Sequence, residues 1–197
     1  MAYADLNCPF CYALEERLAT RKVGTQIEWR LVEHAPDLPD ALERATDHEQ
    51  QELAQELDAL VTRAPDVQIR RPPFRPRSGP AIRAVIAASR IHPAAAGQLR
   101  LSLFRALWLH GLNIADTHVI AEVASNCGLP ETLDDSDCTA AAAAWTAEWR
   151  AAELNRIPCL ISAANAKLLG LSTTDRLDLF LRSGLFGSQS DAACVTP

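Results

Sequence analysis

The chain opens on a short apolar run, MAYADL, that fits a strand. It then passes into a segment with Leu14, Leu18 and Val23 at helical spacing and Gly24 at its end. Pro9 suits the first turn of that helix, where a missing N–H costs nothing. QIEWRLV next alternates Ile27, Trp29 and Leu31 with Glu28, Arg30 and Val32, the period of a strand. Strand, helix, strand with a helical crossover is a βαβ unit, whose two strands run parallel.

After HAPDLPD the pattern changes. Residues 40–63 predict a polar helix with an apolar stripe at Leu53, Leu57 and Leu60. APDVQIRRPPFRPRSGP holds too much proline for a helix. Three further helices are expected over 80–91, 94–110 and 116–126, with Gly111 and Gly128 in C-terminal cap positions after the last two. SDCTAAAAAWTAEWRAAEL gives the strongest helical signal in the chain, Ala-rich and capped by Ser136 or Asp137. Strand pattern returns only in IPCLIS and AKLLGL, a hairpin joined by AANA, before a last helix in STTDRLDLFLRSG. The tail GSQSDAACVTP has no period. The order βαβ, helices, αββα gives an α/β class in which both ends of the chain build one sheet. Residues 1–38 and 136–187 are then the sheet domain, 39–135 an all-helical insertion, and 188–197 a loose tail.

Composition narrows the functions more than the fold. An apolar fraction of 48% supplies a core, and 22% charged residues suit a soluble surface. A net charge of −6 gives no global basic field to draw nucleic acid or an anionic membrane. No apolar run approaches the roughly 20 residues of a membrane span. MAYADLN leaves no room for the basic and apolar regions of a secretory signal. A cytoplasmic location is therefore expected if Met1 is the natural start, and an exported form if the chain was trimmed.

Candidate chemistry centres on NCPFC. Cys8 and Cys11 bracket Pro9 and Phe10, and three readings are open: a working dithiol, half of a metal site, or two packed cysteines. Thiol–disulfide exchange needs a thiolate and a second thiol near enough to resolve the mixed disulfide. At a helix N-terminus the free N–H groups and the helix dipole stabilise the Cys8 thiolate, while Cys11 lies one turn deeper. A metal site needs two more ligands. The sequence has no second Cys-x-x-Cys, and His34, His48, His92, His110 and His118 show no pairing at ligand spacing. The dithiol reading leads, without a bound metal.

ADLNCPFCYALEERL resembles the start of the DsbA-like thioredoxin-fold family. It is most similar to the branch holding FrnE-like oxidoreductases and 2-hydroxychromene-2-carboxylate isomerases. IEWRLVEHAPDLP, LSLFRALWLHGLNIADTHVIAEVASNCGLP and RIPCLI extend the resemblance over most of residues 1–183. It implies a thioredoxin-like fold with a helical insertion and a redox-active disulfide in place of a bound cofactor. Glutathione is a possible co-substrate, and the partners are protein or small-molecule thiols and disulfides. By the same resemblance Cys8 attacks, Cys11 resolves, and Pro158 is a cis-proline that leaves the backbone at Ile157-Pro158 to hold a substrate strand. An apolar groove near Phe10 would set preference.

The departures from the family pattern matter as well. Phe10 stands where DsbA has His, which implies a less acidic Cys8 and a milder oxidant. Ala2 stands where thioredoxins and DsbA keep a buried acid. Asp5 is the nearest replacement for proton transfer, or simply a helix cap. Cys159 follows Pro158 where Thr is usual, either inert and turned into the sheet or a third redox thiol. Cys127 and Cys138 are expected as packed, reduced thiols, and Cys194 as incidental. Arg70, Arg71, Arg75 and Arg77 are expected on a solvated loop, Trp29, Trp108, Trp145 and Trp149 in the core or in groove walls, and His34 outside the chemistry. Tyr12 and the arginine cluster keep open a glutathione-dependent isomerase or transferase. A non-catalytic binding or chaperone module is the third alternative.

Overall fold

The opening run becomes β1, Ala2–Ala4, with all three residues buried. Its two alanines leave room for a helix to pack closely above it. The computed structural model describes residues 1–131, 133 and 137–185. Ser136, Cys194 and the tail from 188 onward, each the subject of an expectation above, lie outside the described residues. Among those described, α1 (Pro9–Thr20) follows β1, and β2 (Trp29–Leu31) pairs parallel with β1, Ala2 beside Trp29 and Ala4 beside Leu31. Only three residues of QIEWRLV form strand, because Gly24–Gln26 winds into a 3-10 turn. The first helix ends at Thr20 rather than running to Gly24, and Lys22 takes φ 56 just beyond it.

Four helices then fill the middle of the chain. α2 (Asp47–Arg63) begins at a capping box between Thr46 and Glu49, seven residues later than the periodicity suggested at residue 40. Its buried stripe is the expected Leu53, Leu57 and Leu60. α3 (Gly79–Ile91), α4 (Pro93–Trp108) and α5 (Thr117–Asn126) follow, the first two with proline at the N-terminus. Gly111 and Gly128 take φ 69 and φ 72, the left-handed turn that ends a helix with least strain in glycine. α6 (Cys138–Ala151) returns the chain to the sheet, where β3 (Cys159–Ile161) and β4 (Lys167–Leu169) form the hairpin and α7 (Thr174–Leu185) closes the described chain.

The sheet order is β2-β1-β3-β4, parallel between β1 and β2 and antiparallel elsewhere. This mixed sheet with helices on both faces is the thioredoxin-like architecture that the resemblance implies. Alternation splits its two faces. Ala2, Leu160 and Leu168 pack with Leu14 and Leu18 of α1 and with Leu177 and Leu181 of α7. Tyr3, Cys159 and Ile161 face the other way, with Trp145 and Trp149 of α6. The largest cluster runs from Ala4, Leu6, Cys8 and Cys11 into α3, α4 and α5, with Trp108 sealed inside it.

Polar latches fix α1 over the sheet. Arg17 is buried and bonds Asp66 through two nitrogens, at 2.6 and 2.9 Å, and the Ser172 carbonyl at 2.7 Å. Glu15 is buried against Arg100, at 2.9 and 3.2 Å, and the Arg100 guanidinium lies 4.2 Å from the centre of the Trp29 ring. Glu16 takes Arg105 in a two-pronged pair. A charged helix face is thereby paired inside the fold, which is why α1 shows only a weak apolar stripe in its sequence. Glu15 Oε2 is left without a hydrogen-bond partner.

Candidate active site

β1 ends at Ala4, and four residues turn the chain into α1. The Trp108 indole N–H bonds the Leu6 carbonyl at 2.9 Å, and Asn7, fully buried, donates from its side-chain amide to the Pro76 carbonyl at 3.2 Å. These bonds hold the turn that presents Cys8. Cys8 is the N-cap of α1, and its sulfur accepts the Cys11 N–H at 3.4 Å. Its carbonyl accepts from the N–H groups of Cys11 and Tyr12, both at 3.1 Å. Cys8 is 5% exposed and Cys11 not at all, so the second thiol lies below the first. Both are free thiols.

Burial pushes the Cys8 thiol up. The hydrogen bond from the Cys11 side chain, the charge of His34 and the Cys11 N–H outweigh burial and leave Cys8 below its ordinary value, with Asp5 opposing. Burial drives Cys11 the other way, well above its ordinary value, reinforced by the hydrogen bond to Cys8 and the Cys8 charge. The pair thus divides into a more acidic thiol at the helix end and a less acidic one beneath it.

Two residues behave differently from their sequence reading. Asp5 does not cap the helix, since Cys8 occupies that position. Its carboxylate is fully buried and accepts the Asn7 N–H at 3.3 Å, the His34 N–H at 2.8 Å and His34 Nδ1 at 2.6 Å. His34, expected outside the chemistry, is therefore part of the site: burial works against its charged form, Asp5 and Cys8 favour it, and its charge pulls the Cys8 thiol down. The signal was available in the topology. Parallel β1 and β2 end together, Ala4 beside Leu31, so the residues that follow each strand become neighbours.

The other candidates divide. Pro9 opens α1 as expected. Phe10 packs, with Val67 and Ile69, against the core of Ala13, Leu60 and Ala64, and the Arg63 guanidinium lies 5.8 Å from its ring centre. Tyr12 is core: its hydroxyl donates to the Gln68 carbonyl at 2.9 Å, and its ring lies 6.3 Å from that of Phe104. Burial raises the Tyr12 hydroxyl, keeping it neutral. The Ile157–Pro158 peptide bond is cis. Extending the β1–β3 register by one residue sets Pro158 beside Ala4, at the end of β1 that leads into the motif. Ile157 packs against both the cluster holding Cys8 and Cys11 and the cluster on the far face.

Cys159 is fully buried on the α6 face, paired with Tyr3, and burial pushes its thiol up. That orientation fits the inert alternative and not the third redox thiol. Among the described residues Cys127 and Cys138 form no disulfide, and Cys127 lies against the Ser102 hydroxyl at 3.6 Å. Arg75 corrects the reading of the arginine cluster: it is buried and bonds Glu56 at 2.7 Å, because the connector folds down beside Asn7 instead of standing in solvent. Among the described residues no three His, Cys, Asp or Glu side chains converge as a metal site requires.

A cysteine pair at a helix N-terminus, on a mixed sheet with a helical block after β2, has a counterpart in sequence. The family model of the DSBA-like thioredoxin domain matches residues 1–182. The chain belongs to that family. No curated protein sequence matches it significantly. Among solved members of the fold, a probable DsbA oxidoreductase from Streptomyces coelicolor superposes with TM-score 0.73 at 15% identity, covering 98% of this chain and 92% of that one. The cytosolic disulfide reductase DsbM from Pseudomonas aeruginosa, also solved with GSH, gives TM-score 0.60 at 19% identity over 93% and 97%. A 2-hydroxychromene-2-carboxylate isomerase gives 0.62 at 18%, over 92% of each chain. Identities this low establish the shared fold and no more. As a DsbA-like domain, the chain carries the scaffold on which thiol–disulfide oxidoreductases are built.

Proposed function

We propose that this chain is a thiol–disulfide oxidoreductase that works through Cys8 and Cys11. In the reducing direction the Cys8 thiolate attacks one sulfur of a substrate disulfide. The substrate S–S bond breaks, a Cys8–substrate mixed disulfide forms, and the leaving thiolate takes a proton. Cys11 then loses its proton, attacks the Cys8 sulfur and expels the second substrate thiolate, leaving a Cys8–Cys11 disulfide. Two small thiols, of which glutathione is one, return the pair to the dithiol. The same steps reversed oxidise a substrate dithiol.

The observation that carries this reading is the helix-capping Cys8 sulfur, accepting the Cys11 N–H at 3.4 Å with the Cys11 thiol buried beneath it. Cys11 has no such use in an isomerase that activates glutathione through one side chain. The substrate strand would lie along Ile157–Pro158, with Phe10 at its side. That DsbM is solved with GSH supports a small thiol as the recycling partner. No helix among the described residues is long and apolar enough to cross a membrane. A cytoplasmic location is part of this proposal, supported by the cytosolic disulfide reductase DsbM among the fold neighbours.

Insulin reduction with a small thiol as electron source tests the reading. Wild-type protein turns over, Cys8→Ser does not, and Cys11→Ser stops after one round with substrate attached at Cys8. Full turnover by Cys11→Ser on a small electrophile with glutathione, with no activity of wild type on disulfides, would establish the isomerase or transferase alternative. No turnover of any kind would leave a binding module.

A further inference from the structure

Asp5 and His34 lie outside the Cys-x-x-Cys motif yet are joined directly to it. The Asp5 carbonyl accepts the Cys8 N–H at 3.2 Å. Its buried carboxylate meanwhile grips both the His34 N–H and Nδ1, at 2.8 and 2.6 Å, which sets the position of the residue and the rotation of its ring. The His34 side chain is 26% exposed, so a proton can pass between its ring and water.

The charged groups facing His34 come from every side. They are Asp5 from the β1–α1 turn, Cys8 from the start of α1, and Arg75 from the connector before α3. Glu33 is its chain neighbour, bonded to the Gly79 N–H at 2.9 Å with Arg77 and Arg83 near by. Burial disfavours the imidazolium, but Asp5 and Cys8 outweigh burial and Arg75, so the ring is held above its ordinary value. Arg75 is itself engaged by Glu56. Of these neighbours, Cys8 alone changes charge with oxidation state.

We propose that His34, clamped by Asp5, is the redox-linked counter-ion of Cys8: it holds a proton while Cys8 is a thiolate and releases it when the Cys8–Cys11 disulfide forms. The inference rests on the dithiol reading above. Starting from the disulfide and a neutral His34, two small thiols RSH give RS–SR, the Cys8 thiolate, the Cys11 thiol and a protonated His34. One protein S–S bond breaks and one RS–SR bond forms. One proton goes to Cys11 and the other to the imidazole. His34 is thus a positioning residue that lets Cys8 begin each cycle as half of an ion pair instead of a bare buried anion. Without it Cys8 keeps the second proton to higher pH.

The direct test follows the imidazole signals of wild-type protein by NMR across pH, in the reduced and the disulfide forms. Of the five histidines, His34 should titrate at higher pH in the reduced form than in the disulfide form. His34→Gln should shift the appearance of the Cys8 thiolate absorbance to higher pH and slow Cys8 alkylation several-fold at mildly acidic pH. Asp5→Asn, which keeps an acceptor but loses the charge, should do the same to a smaller extent. Equal His34 titration in the two redox forms overturns the inference, as does an unmoved Cys8 thiolate in folded His34→Gln. Failure of wild-type Cys8 and Cys11 to form a reversible disulfide overturns this inference and the dithiol reading together. A reversible disulfide with an unresponsive His34 overturns this inference alone.

Discussion

Cys8 and Cys159 are both nearly sealed from solvent, at 5% and 0% exposure, yet they fall on opposite sides of the ordinary cysteine value. Burial pushes both upward, as it must for a group whose charged form wants water. Cys159 lies within β3, its neighbours apolar residues of the α6 face, and only Lys167 and the chain's N-terminus pull its thiol down. Cys8 sits where a helix begins, accepts the Cys11 N–H and faces His34. In the proposed reading, which cysteine reacts follows from the Cys11 hydrogen bonds at the end of a helix and one nearby charge rather than from accessibility. Proximity to Pro158 in sequence counts for little when the strand pleat turns Cys159 to the other face.

The largest consequence is loss of function on one side of the sheet only. Cys8→Ser should bring disulfide exchange down to background, while Cys159→Ser should leave the rate of insulin reduction within about twofold of wild type, since a structural buried thiol is inert. A Cys159→Ser enzyme as dead as Cys8→Ser would place the chemistry on the wrong face. Next is pH. Alkylation follows the thiolate fraction, which falls about tenfold per pH unit below a thiol's pKa. Because the Cys8 value is lowered and the Cys159 value raised, acidifying the medium should suppress Cys159 labelling first and Cys8 labelling last. Peptide mapping after a short pulse of iodoacetamide reads the order, and the reverse order would contradict the contrast.

Two structural substitutions should leave that order intact while lowering stability. Glu15→Ala strands Arg100 inside the fold, and breaking a buried pair in this way costs about 3–5 kcal/mol, read by chemical denaturation. The Glu15 charge is not among the main influences on either Cys8 or Cys159, so their labelling order should survive in the folded fraction. Thr46→Ala, at the exposed capping box of α2, should cost only about 1 kcal/mol and change neither thiol.

Much of this was legible in the sequence because it depends on near neighbours. Cys8, Pro9 and Cys11 lie within one helical turn, and the α2 stripe of Leu53, Leu57 and Leu60 is written at helical period. The parallel pairing of β1 and β2 follows from a crossover helix between them. What escaped depends on distant contacts. Asp5 and His34 are 29 residues apart and meet because two parallel strands end level. Arg75 reads as solvated in a run of Pro and Arg, and becomes buried only because that run folds onto Asn7 and α2. Tyr12 follows the motif directly, but its position on α1 turns it into the core against Phe104. Helix ends, too, were set by caps at Thr46 and Cys8 that periodicity does not register.

The central claim is that the surroundings of Cys8 favour its thiolate form despite burial. Ultraviolet titration of the reduced wild-type protein, with alkylation and peptide mapping to assign the first thiolate to appear, tests it most directly. The account predicts that this first thiolate is Cys8, with its midpoint below the roughly 8.5 of a free cysteine, while Cys11 and Cys159 titrate above it. A first thiolate on any other cysteine, or a Cys8 midpoint at or above the free value, would contradict it.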